Sequence, residues 1–206
     1  MLRIAALIAL VTLPGSIILE GWRDQARGRA PARRTITTVT CAADLGTGAK
    51  SGRRFCDVVI AKASSQSVTM VIPPHTGAST LRFDLHNRFT VPLGAPNPEQ
   101  AFSRNAAMVA VVRSTGETIA HAAVVGEFRT AQDLFDRISG VGPGGLKAVA
   151  PGPAEPYEVT VPSTVSAIGI TGVRVEVTTR AGRAIHDVEG RPVAIVSNLR
   201  IDYTPR

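Results

Sequence analysis

Between Ser79 and Val91 the chain reads STLRFDLHNRFTV, and its side chains alternate sharply in character from Leu81 to His86. Leu81, Phe83 and Leu85 fall on one side, and Arg82, Asp84, His86 and Arg88 on the other. Successive side chains of a strand point to opposite faces, so this period of two describes a half-buried β-strand and excludes an amphipathic helix. The same period returns in "TITTVTC", "FCDVVIA", "SVTMVI", "AMVAVVR", "TIAHAAVVGEF", "YEVTV", "AIGI", "VRVEVTT", "AIHDV" and "VAIVSNLRIDY". Gly-, Pro- and Ser-containing turns separate these runs, which is the pattern of a mainly antiparallel, all-β single domain built as a β-sandwich or jelly-roll-like fold. Aromatic residues make up only 4% of the chain, so its core must rest on Val, Ile, Leu and Ala.

Several local pairings follow from this reading. "STGE" joins "AMVAVVR" to "TIAHAAVVGEF" as a hairpin, and both runs are apolar on both faces, as central strands are. Arg180 to Arg183 turn "VRVEVTT" into "AIHDV". "TITTVTC" and "FCDVVIA" are expected to form the first hairpin, with Cys41 and Cys56 bonded across it. Such a disulfide closes a loop worth ~3 kcal/mol in the chain-entropy account, and an oxidising compartment is where it persists. "PLGAPNPEQ" and "APGPAEP" suit crossovers between sheets, and in the last run Val193, Ile195, Leu199, Ile201 and Tyr203 keep step on one face. One short amphipathic helix is expected over about 130–139. Thr130 and Asp133 form a capping box, Ala131, Leu134, Phe135 and Ile138 an apolar stripe, and Gly140 and Pro143 the stop.

The amino terminus reads "MLRIAALIALVTLPGSIILEGW". Arg3 precedes the unbroken apolar run Ile4 to Leu13, and Pro14-Gly15-Ser16 ends it. Residues 1–19 are therefore read as a signal peptide or a membrane anchor of marginal length, 20–34 as an Arg-rich linker, and 35–206 as the β-sandwich domain. The net charge of +7 is uneven. Residues 1–34 hold six Arg against Glu20 and Asp24, a net of +4, whereas the remaining 17 basic and 14 acidic groups net only +3 and are scattered. Without a basic patch or an aromatic stacking platform, nucleic acid is not the expected partner. An envelope protein or a glycan is, with membrane contact only through an uncleaved amino-terminal segment.

Residues that could carry chemistry are few. Gly140, Gly142 and Gly145 spell G-x-G-x-x-G, but they follow a helix where a dinucleotide loop would open one, and Pro143 removes an N–H from any phosphate cradle. Arg82, Asp84, His86 and Arg88 are the candidate ligand contacts, and His75, Asp84 and His86 the candidate metal ligands. The plainer reading of the same face is a solvated surface on which Asp84 pairs with Arg82 or Arg88. A hydrolase would centre on Glu127 or His121, yet there is no G-x-S-x-G elbow and no Cys-His pair apart from the disulfide cysteines. No cofactor is implied. The leading expectation is an exported, non-enzymatic sandwich with a structural or interaction role at the cell envelope. The second is an extracytoplasmic binding module for a glycan, polyanion or metal, and the third an unrecognised hydrolase.

Overall fold

The computed structural model of the protein describes residues 33–62, 68–90, 102–138 and 149–206, all within one compact unit, Pro31–Arg206. The leader, most of the linker and the Gly-rich loop lie outside the described residues. Two six-stranded antiparallel sheets make the fold. The first takes β1 (Arg34–Ile36), β3 (Asp44–Thr47), β4 (Arg54–Val59), β6 (His75–Thr90), β9 (Val149–Val161) and β12 (Pro192–Pro205). Its order is β3-β4-β12-β6-β9, with β1 pairing the far end of β12. The second takes β2 (Thr40–Cys41), β5 (Val68–Val71), β7 (Ser103–Arg113), β8 (Thr118–Phe128), β10 (Ala167–Thr179) and β11 (Gly182–His186). Its order is β2-β5-β10-β7-β8, with β11 also on β10.

Consecutive strands change sheet except at the hairpins β3-β4, β7-β8 and β10-β11, so the fold is the expected β-sandwich. The expected face of β6 supplies the core: Leu81, Phe83 and Leu85 are buried with Val109 and Val111 of β7, Ile168 and Ile170 of β10, and Val196 and Ile201 of β12. Both expected turns form, with Gly116 at φ 88° and Gly182 at φ 138°.

The first hairpin differs from expectation. β2 pairs with β5 in the second sheet, whereas β4 pairs with β3, drawn from the "DLGT" that looked like connecting loop. Gly46, at φ 97°, lets this short strand bulge between Asp44 and Thr47. The Cys41–Cys56 disulfide is present, but it ties one sheet to the other (Cα–Cα 5.6 Å) rather than spanning a hairpin. The "APGPAEP" crossover is instead the first half of β9; Pro151, Pro153 and Pro156 are tolerated because β9 lies at a sheet edge. β8 is likewise an edge and not a central strand. There the Tyr157 hydroxyl reaches across from β9 and bonds both the N–H and the carbonyl of Ala123, occupying a free edge.

The helix expected over 130–139 is a single 3-10 turn, Ala131–Asp133. Its capping box is real: the Asp133 carboxylate accepts the N–H groups of Arg129 and Thr130 at 2.7 and 2.6 Å. Leu134 is already extended (φ −88°, ψ 132°). So short a helix is marginal by itself, and tertiary bonds outcompete it. Phe135 N–H donates to Pro151 O (2.9 Å), and the Asp136 carboxylate accepts the N–H groups of Lys50 and Ser51 (both 2.8 Å). The segment thereby lies as a strap over the outer face of the first sheet.

Candidate functional site

That outer face carries Arg82, Asp84, His86 and Arg88. Same-face neighbours along a strand stand about 6.6 Å apart at ~3.3 Å per residue, whereas directly opposed cross-strand neighbours are ~5 Å apart. The charges accordingly pair between strands, not with one another as the solvated-face reading had it. Arg82 reaches Glu158 of β9 at 2.9 Å and Asp202 of β12 at 3.4 Å. Asp84 accepts from Arg53 at 3.0 Å and from Asn198 Nδ2 at 3.5 Å. Arg88 Nε donates to both oxygens of Asp57, at 2.9 and 3.1 Å.

Asn198 sits in a bulge of β12 and is the one non-glycine residue with positive φ among the described residues, at 53°. The bulge reverses the parity of β12. Leu199, Ile201 and Tyr203 face the main core together with Val196, while Ile195 turns outward and leaves the expected step. Ile195 there joins Leu45, Phe55 and Ile138 in a second apolar cluster, with Phe135 packed against it.

His86 is enclosed by this cluster. It is 0% exposed, with ring centroids 5.6 Å from Phe55 and 5.3 Å from Phe135. Its Nδ1 stands 2.8 Å from the Gly152 carbonyl and its Nε2 2.9 Å from the Ser197 hydroxyl. A carbonyl can only accept, so Nδ1 carries the proton and Nε2 accepts from Ser197. Burial pushes the His86 pKa down; the Gly152 bond and Asp84 oppose this, and Arg53 reinforces it. Within the strap, burial would raise Asp136, but the Ser51 hydroxyl and the N–H groups of Lys50, Ser51 and Arg137 outweigh it and hold the carboxyl low.

The metal triad is not assembled. His75 opens the same 16-residue strand as His86, and eleven residues at ~3.3 Å each put them about 36 Å apart along it. His75 is buried, with Nδ1 on the Pro73 carbonyl at 2.9 Å. No group of three or more His, Cys, Asp or Glu suited to a metal occurs among the described residues. His121 is exposed, and Glu127 pairs with Arg129 at 2.8 Å with its side chain 43% exposed.

What the face does offer is a groove of ≈500 Å³ beside Arg82 and Asp84, walled by Tyr157, Glu158, Asn198 and Arg200. Arg200 is the register partner of Arg82 on β12 and has no ion pair among the described residues. Glu158, Asn198, Arg200 and Asp202 are contributed by strands distant in sequence and Arg53 by the turn before β4, and the reading of β6 alone missed them. The break in alternation at Ser197-Asn198 was the one available signal.

No protein-family model matches the chain, and no curated protein is significantly similar to it. Among solved structures, it aligns with the infectious bursal disease virus VP2 subviral particle at 13% identity over 84% of this chain, with a TM-score of 0.25. A crystal structure of the viral particle of the same virus aligns at 10% identity over 86% of this chain, with a TM-score of 0.28. The chain spans about a third of those capsid chains (33% and 32%), and at these TM-scores the likeness carries no argument.

Proposed function

We infer that the protein is an exported, non-enzymatic β-sandwich with a structural or interaction role at the cell envelope. The observation that carries this reading is the Cys41–Cys56 disulfide, which fastens β2 of one sheet to β4 of the other. A bond of that kind persists outside the reducing cytosol, and the leader-like residues 1–19 suit the same destination. The polar residues of the outer face support an interaction role over catalysis, because carboxylates and arginines there neutralise one another in pairs. Cell fractionation with thiol labelling tests it. The protein is expected outside the cytoplasm, with Cys41 and Cys56 labelled only after reduction; cytoplasmic recovery with two free thiols overturns the reading.

A second reading, a glycan- or polyanion-binding module, is favoured by the bulge that aims Asn198 at Asp84 beside the Arg200 groove, since bulges and left-handed non-glycine residues concentrate at functional sites. Thermal stabilisation by dextran sulfate or an acidic oligosaccharide, lost in Arg200→Ala, would support it. No shift with either probe would remove it.

A further inference from the structure

The space between the sheets is not closed where β6, β8 and β10 end and β7 and β12 begin. A cleft of ≈530 Å³ opens there, within the ~300–1,000 Å³ usual for small-molecule sites. Phe89 of β6 and Phe128 of β8 stand in it with ring centroids 5.6 Å apart, and Val175 and Val177 of β10 continue the apolar wall. Its polar side is already satisfied: buried Asn105 donates from Nδ2 to the Arg88 carbonyl (3.0 Å) and accepts the Ser103 hydroxyl (2.6 Å). The Arg88 guanidinium is engaged by Asp57, and Arg129, stacked on Phe102 at the rim, by Glu127.

Arg191 is different. It lines the exposed mouth, its backbone is fixed by bonds with Val188 and Ile60, and its guanidinium has no ion pair among the described residues. Among the described residues, none that lines the cleft is acidic. A cation with no ion pair among the described residues, at the mouth of a cleft lined by polar groups and by the apolar Phe89, Phe128 and Val175, favours a ligand with one anionic end and a hydrophobic body. We propose that the open end of the sandwich binds an amphipathic monoanion, with its carboxylate or sulfonate on Arg191 and its apolar portion between Phe89, Phe128 and Val175. This site is distinct from the outer-face groove and does not depend on export.

The oxidised protein is titrated with 1-anilinonaphthalene-8-sulfonate and, in parallel, with N-phenyl-1-naphthylamine, which has the same apolar body and no charge. Saturable one-to-one binding of the anionic dye is expected, with displacement by laurate. Arg191→Ala weakens the anionic dye about tenfold, the loss of one charge-assisted contact, while the neutral dye changes less than about twofold. Val177→Trp fills the half-buried wall and abolishes both. Thr179→Trp, at the exposed rim, does the same without touching the core and serves if Val177→Trp fails to fold. Absence of saturable dye binding overturns the proposal. So does unchanged affinity in folded Thr179→Trp, or equal weakening of both dyes by Arg191→Ala.

Discussion

Gly48 occupies the point where the strap crosses the β3-β4 turn, and replacing it with Ala perturbs one contact cleanly. A Cβ at this position would overlap the Asp136 carboxylate and stand 2.7 Å from Phe55 Cε2. The backbone there does not require glycine, so the change should by itself stabilise slightly, by ~0.4–1 kcal/mol through the unfolded chain. The carboxylate must nevertheless move, and it holds the N–H groups of Lys50 and Ser51 while only 3% exposed. Charge-assisted bonds of this type contribute ~1.5–3 kcal/mol each net of hydration, and a displaced carboxylate forfeits roughly half of the pair. Partial re-exposure of Ile138, now 1% exposed, adds about 1 kcal/mol. The expected net loss for Gly48→Ala is about 3 kcal/mol, read from guanidinium unfolding followed by circular dichroism. In an Asp136→Ala background the carboxylate is gone and only the Phe55 ring edge must yield, so the same substitution should cost about 1 kcal/mol. A Gly48→Ala protein within about 0.5 kcal/mol of wild type, or equal costs in the two backgrounds, would refute the reasoning.

Three further outcomes follow from the same contacts. Burial holds His86 below 6.5, so the unfolded chain takes up this proton first; the His86 contribution is complete above pH 6.5 and is lost as pH falls toward the lowered value. Unfolding free energies between about pH 7.5 and 5.5 should decline for wild type and flatten in His86→Gln, with Asp84 and Arg53 the charges acting on it; an unaltered slope would sink the assignment. Reducing Cys41–Cys56 should cost ~3 kcal/mol and lower Tm by about 6–12 °C, and a calorimetric scan showing no shift would mean that the bond does not restrain the unfolded chain. Tyr157→Phe should cost about 1 kcal/mol and speed amide exchange at Ala123 while leaving Val109 protected, since only the edge contact is lost.

The alternation of β6 made one core face legible, because every second residue of Leu81, Phe83 and Leu85 is apolar and no bulge interrupts them. Turns with a glycine at positive φ, at Gly116 and Gly182, were legible for the same local reason. Where pairing is non-local the signal disappears. Nothing in "TITTVTC" states that β2 joins β5 while β1 joins β12, because each is two or three residues long and any edge would satisfy its hydrogen bonds. The strap failed as a helix prediction for a related reason. Its cap and apolar spacing are locally helical, but Asp136 finds two backbone donors 85 and 86 residues away.

The polar face shows how such breaks decide function. Read as uninterrupted alternation, β12 would put Ile195 in the main core and leave His86 opposite it on a wet surface, free to bind a metal. The bulge at Asn198 reverses that parity, and Ile195 and Phe55 supply an apolar floor on the outside of the sheet. Once Phe135 and Ile138 cover that floor, His86 loses access to solvent, and both ring nitrogens are taken by Gly152 and Ser197. The four candidates on one strand face therefore separate into different roles. His86 stabilises the strap, Arg88 neutralises a buried Asp57, and Arg82 and Asp84 border the outer-face groove. A single left-handed residue thus encloses His86, and the accessible polar chemistry of this face lies in the groove at Arg200.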